Sequence, residues 1–60
     1  MNLQTAKSLV KGDFVLDTDG SRWAFIGLDE ENDVIVKRRS AMGGTIVLYR
    51  AMLRKEDSNE

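Results

Sequence analysis

The sequence predicts an all-β domain: four to five short antiparallel strands curled into a small barrel, with a short N-terminal helical or extended arm and a C-terminal helical turn. Three observations predict it. Short β-prone runs recur every ten residues or so, roughly the spacing of small sandwiches and barrels, with turn-forming residues between them. Proline is absent, so Gly, Asp, Asn and Ser must make every turn. Sixty residues at 42% hydrophobic content can bury one core. A flat meander of that length cannot cover its own core, and curling removes the difficulty.

The arm comes first. Leu3, Ala6, Leu9 and Val10 form a near-helical stripe between Asn2 and Lys11. Asn2 suits the N-cap, Lys7 and Lys11 the last turns, and Gly12 the stop. Phe14-Val15-Leu16 is the first strand. Asp17-Thr18-Asp19-Gly20-Ser21 is a dense turn signal that predicts a tight hairpin into the second strand, Arg22 to Leu28. On that strand Trp23 and Phe25 share one face, and Ala24, Ile26 and Leu28 the other; Gly27 predicts a bulge or bend. Asp29 to Asp33 is a charged loop.

Val34 to Arg39 is the third strand, with Val34, Val36 and Arg38 on one face and Ile35, Lys37 and Arg39 on the other. Ser40 to Gly44 is a turn around two glycines. Thr45 to Arg50 is the fourth strand, and its apolar, β-branched run predicts a central position. Ala51-Met52-Leu53 predicts the helical turn. The whole is a single small domain, 1–60, with its core in 11–55 and a solvated acidic tail in 56–60.

Charge is segregated along this chain. Met1 to Asp33 holds three cations and seven acids, Val34 to Lys55 holds six cations and no acid, and the last five residues hold three acids, so −4 + 6 − 3 gives the net −1. Segregation of this kind predicts a charged partner surface. No apolar N-terminal run suggests a signal peptide, and no stretch reaches the ~20 apolar residues of a membrane span. The expectation is a cytoplasmic protein that does not engage membranes. With no Cys and no His, neither a disulfide nor a zinc site can brace the fold.

Lys11-Gly12-Asp13-Phe14-Val15, Asp19-Gly20-Ser21-Arg22-Trp23, Phe25-Ile26-Gly27-Leu28, Val34-Ile35-Val36 and Ile46-Val47-Leu48 with its following turn together resemble an SH3-like small barrel of the KOW and Tudor kind. The likeness spans Lys11 to Lys55. KOW motifs carry a base where this chain has Leu16-Asp17-Thr18-Asp19, and Tudor-like cages need several rings where this chain has four aromatics in all. The plan is also similar to that of small bacteriophage and bacterial proteins that bind other proteins. The resemblance therefore implies a fold and a binding role and leaves the ligand open.

The residue inventory argues against catalysis. There is no His for acid–base work and no Cys nucleophile, and nothing is placed to activate Ser8, Ser21, Ser40 or Ser58. The carboxylates at Asp17/Asp19 and Asp29 to Asp33 read as a turn and a solvated loop, and Asp29 to Asp33 lacks the alternating ligand spacing and internal Gly of a calcium loop. Gly43-Gly44-Thr45 lacks the Gly-Lys-Ser/Thr ending of a phosphate loop. We therefore expect no enzyme, catalytic residue, metal, cofactor or small-molecule substrate.

The remaining candidate is a partner-binding patch of Lys37, Arg38, Arg39, Arg50, Arg54 and Lys55, with Trp23 or Tyr49 beside it. Edge protection or pairing with the chain's own acids explains the same cations equally well. The sequence favours a small interaction module, a regulator or inhibitor, that binds a protein partner through a charged surface or associates with itself as a homodimer. The alternative is a nucleic-acid-binding barrel using 37–55. Six cations split between two strand faces and a tail would meet no more than about four phosphates, which weakens that alternative. Lys37, Arg39 and Arg50 discriminate: a shared exposed face with an aromatic favours nucleic acid, and dispersal favours protein.

Overall fold

A computed structural model describes Met1–Glu56. The elements are helix α1 (Leu3–Ser8), strands β1 (Phe14–Leu16), β2 (Arg22–Leu28), β3 (Val34–Lys37) and β4 (Thr45–Leu48), a 3-10 turn (Arg50–Met52), and strand β5 (Arg54–Lys55). All five strands are antiparallel, in the order β4-β3-β2-β1-β5. The fold is thus a β-rich meander with one short helix, and its last strand returns to the side of β1. The expected barrel does not close, because β4 and β5 remain edges that do not pair with each other. The sheet bends instead.

The bend lies where Gly27 predicts it. Phe25 pairs with Val36 and Gly27 with Ile35, so Ile26 is an extra residue on β2. A bulge of this kind kinks the strand and shifts its alternation by one. The first half of β2 pairs with β1 and the second half with β3. The shift also corrects one expected face. Leu28 does not share a side with Ala24; it pairs with buried Val34 and packs on the core.

Among the described residues seven are buried: Ala6, Leu9, Val15, Phe25, Val34, Val36 and Leu53. Phe25 sits at the bulge between the two halves of the sheet. Val15 comes from one half and Val34 and Val36 from the other. Helix α1 adds Ala6, and the residue after it, Leu9, joins the core. Asn2 caps it as the sequence predicts, its Oδ1 accepting from the Thr5 amide at 2.8 Å. The helix stops earlier than Gly12, at an extended Leu9, and Gly12 serves a turn from Val10 to Asp13. The Met1 amino group donates to the carbonyls of Arg50 (2.7 Å) and Leu53. The arm is therefore tied to the 3-10 turn.

Two hairpins share one design. Asp17 Oδ1 accepts from the amides of Asp19 and Ser21, both at 2.9 Å, and Asp29 Oδ1 accepts from Glu31 and Asp33 at 2.9 and 2.8 Å. In each, the fourth residue has positive φ: Gly20 at 82° and Asn32 at 65°. These are residue types that tolerate the left-handed region in a three-residue hairpin loop. Both acidic segments are turn chemistry, made by the Asp side chain bonding its own backbone.

The position of β4 overturns an expectation. Its apolar run suggests a central strand, yet it is the outer edge beyond β3. Thr45 and Val47 are exposed while Ile46 and Leu48 pack on the core. β3 is interior, and it carries the fully buried Val34 and Val36 instead. It ends at Lys37, not Arg39, and β4 ends at Leu48, not Arg50.

Candidate interaction surface

The cations of Val34 to Lys55 do not converge. Arg39 leaves β3 and lies over Trp23, its guanidinium carbon 3.8 Å from the ring centroid, and its Nη2 donates to the Arg22 carbonyl. Trp23 is half-buried against the core, and its Nε1 donates to Asp17 Oδ2 at 3.0 Å. A stack of this kind contributes roughly 0.5–1 kcal/mol at an exposed site. It holds Arg39 against its own domain. The Trp23 hydrogen bond, then the Ser21 amide, and least of all the nearby Arg39 charge, hold the Asp17 carboxyl below its ordinary value of 3.8.

On the opposite face of the β1–β5 half, Leu16 pairs with both Arg22 and Arg54. Arg22 lies 3.9 Å over the Phe14 ring, and its Nε meets Glu56 Oε2 at 2.8 Å. Glu56, placed with the acidic tail on sequence grounds, is half-buried, and its amide donates to the Phe14 carbonyl at 3.1 Å. The rest of the tail, 57–60, lies outside the described residues. Lys55 stands opposite Val15 on the β5 edge.

Lys37 and Arg38 are exposed on β3 and just beyond it, with Lys37 opposite Thr45. Arg50 begins the 3-10 turn at the other end of β3, where its amide donates to Asp33 Oδ1 at 3.3 Å. Its Nε is buried and meets no partner among the described residues. Six residues of extended chain from Asp33 to Arg39 span about 20 Å. Arg39 and Arg50 therefore stand at opposite ends of the strand. Tyr49, next to Arg50, is 73% exposed and stacks on no cation among the described residues.

The structure brings a different set together at the far edge. β4 runs along the sheet margin as Thr45-Ile46-Val47-Leu48, with Val47 53% exposed. Met42 lies before it in the turn and is 92% exposed; Tyr49 and Met52 follow it, also exposed. The Arg38 amide donates to the Gly44 carbonyl at 2.9 Å. Antiparallel alternation then directs the backbone groups of Ile46 and Leu48 toward β3, and those of Thr45 and Val47 outward. The edge offers unpaired amides and carbonyls beside apolar side chains. The signal was in the sequence, because Ser40 to Tyr49 has no charge. The same run suits a central strand as well, since an interior position and an adhesive edge require the same residues.

The opposite edge differs in kind. β5 is two residues long, Arg54 and Lys55. An open depression of about 200 Å³ beside it is lined by Gly12, Asp13, Phe14, Lys55 and Glu56. That is below the ~300–1,000 Å³ of typical ligand sites. Among the described residues no cluster of three or more acids has metal-ligating geometry. No helix among them is long and apolar enough to cross a membrane. No family model, curated protein or solved structure matches the chain.

Proposed function

We propose that this chain is a non-enzymatic protein-interaction module on an SH3-like plan, and that it binds through its β4 edge. The observation that carries the reading is the outward backbone of Thr45 and Val47, flanked by exposed Met42 and Tyr49. An edge of this kind accepts a partner strand, with main-chain hydrogen bonds giving affinity and alternate side chains giving specificity. Lys37 and Arg38 border it and would select an acidic or polar flank on the partner. The strand order, and the 3-10 turn ahead of β5, fit the small-barrel plan.

Nucleic-acid binding has less support. Arg39 is stacked on Trp23, Arg22 is paired with Glu56, and Arg50 stands at the far end of β3. Few cations remain to neutralise phosphates together. Immobilised chain incubated with nuclease-treated lysate tests the choice. Capture of a protein should survive nuclease, disappear in Val47→Lys, and weaken without disappearing in the double variant Lys37→Ala/Arg38→Ala. Capture that needs nucleic acid and ignores Val47→Lys sinks the reading. Turnover that persists through purification sinks its non-enzymatic clause.

A further inference from the structure

We infer that the strand added to β4 is the β4 of a second copy, antiparallel, about a two-fold axis between the two Val47 residues. The inference rests on the edge-binding reading above and names its occupant. A strand can always face itself antiparallel, and the resulting interface is isologous and closed. What matters is whether self-pairing places anything incompatible together, and here it does not.

Outward backbone groups must meet outward groups, so Thr45 and Val47 pair with Val47 and with Tyr49, which continues β4 in extended conformation and whose carbonyl also accepts from the Met52 amide at 3.0 Å. With Val47 opposite its own copy, Thr45 faces Tyr49 of the partner and Tyr49 faces Thr45. Ile46 faces Leu48. The uncharged run Ser40 to Tyr49 supplies every residue of this overlap. The first cation reached, Arg50, falls opposite Gly44, so no like charges oppose. Exposed Val47 meets Val47, and a β-branched residue meets an aromatic, both favourable cross-strand combinations. On the inner face Ile46 and Leu48 already pack on the core, so pairing joins two small cores across one continuous sheet.

Two further features favour a second copy. A net charge of −1 gives little repulsion between copies. The remaining edge, Arg54-Lys55, is short and cationic, so it repels its like and association stops at the dimer.

The mass of the full chain, followed by sedimentation equilibrium across a wide concentration range, should double, and Val47→Lys should abolish the doubling. Crosslinking keeps the test independent of that variant's folding. A hydrogen-bonded antiparallel pair sets Cα atoms about 5.5 Å apart, within the roughly 4.4–6.8 Å of a disulfide. Val47→Cys should therefore oxidise to a covalent dimer, whereas Thr45→Cys, four positions out of register with its copy, should not. Thr45→Cys/Tyr49→Cys should crosslink again. A chain that stays monomeric throughout, or one that crosslinks as well at Thr45 as at Val47, overturns the inference. A monomer that still captures another protein in a Val47-dependent way also overturns it while leaving the edge-binding reading intact.

Discussion

β5 with β1 makes one half of this sheet and β3 with β4 the other, and the two halves use their surfaces in opposite ways. The β1–β5 half is laced by side chains: Arg22 spans Phe14 and Glu56, Arg39 spans Trp23 and Arg22, and Asp17 holds Trp23. Its edge is two cations long. The β3–β4 half has two fully buried valines, Val34 and Val36, against Val15 in the other, and ends in an uncharged edge with exposed backbone. Charge that looks available for a partner in the sequence lies, still exposed, against the domain's own rings and carbonyls on one half. Apolar surface that looks buried is turned outward on the other. A count of cations is therefore a poor guide to a binding surface, because stacking and pairing within the domain take them up first.

Phe25 joins the halves, so its loss should break both. Phe25→Ala removes the ring at the bulge, and buried Phe→Ala changes typically cost about 3–5 kcal/mol. A domain of this size has a total stability of roughly 3–9 kcal/mol, at ~0.05–0.15 kcal/mol per residue. The variant should be largely unfolded at room temperature. Near-ultraviolet circular dichroism or dispersion of amide resonances reads this directly. A well-dispersed Phe25→Ala spectrum would mean that the halves are held together elsewhere.

Much of this architecture was legible in the sequence because its signals are local. The runs Phe14–Leu16 and Arg22–Leu28, the Asn2 cap and the Gly27 bulge each follow from a few neighbouring residues. Strand order is not local. An apolar strand such as Thr45–Leu48 fits an interior position or an unpaired edge, and only the return of β5 to β1, not to β4, decides between them. The face of Leu28 was lost for a related reason, since one inserted residue reverses the alternation beyond it. The candidate cations were legible as residues, but their partners, such as the Trp23 ring under Arg39, come from elements distant in sequence.

The paired hairpins sharpen the comparison at intermediate size. Gly20→Ala forces a side chain into positive φ in the β1–β2 loop and should cost about 1 kcal/mol. Asn32→Gly, at the equivalent place in the β2–β3 loop, keeps that conformation open and should change stability by no more than a few tenths of a kcal/mol, the scale of an unstrained surface change. Urea midpoints of the two variants test this. Equal losses would show that the two Asp loops differ in a way that their shared hydrogen bonds do not capture.

Smaller still are the clasps on the β1–β5 half. Arg22→Ala removes an exposed ion pair and a stack on Phe14, and should lower stability by roughly 0.5–1 kcal/mol, with the ion-pair part weakening in salt. Arg38→Ala, just beyond β3, touches no such partner among the described residues and should be neutral within about 0.5 kcal/mol. The contrast is the useful quantity: if both variants are neutral, the pairing and stacking of the cations within the domain have no energetic weight.

The smallest effect is the acid response of Asp17. Its carboxyl is held below 3.8 chiefly by the Trp23 indole, so the charged form is favoured in the fold. A carboxylate with a lowered folded value adds stability above its ordinary range, and that contribution is lost as the pH falls through the folded value. The stability of the chain should therefore decline below about pH 4, in the window between 3.8 and the lower folded value. Trp23→Phe removes the main cause and should flatten this part of the curve; Arg39→Ala removes the least cause and should leave most of it. Thermal midpoints of the three proteins between neutral and strongly acidic pH separate the contributions. A Trp23→Phe curve as steep as that of the unaltered chain would place the acid response on other carboxylates, and would reduce the Asp17–Trp23–Arg39 cluster from an electrostatic clasp to simple packing.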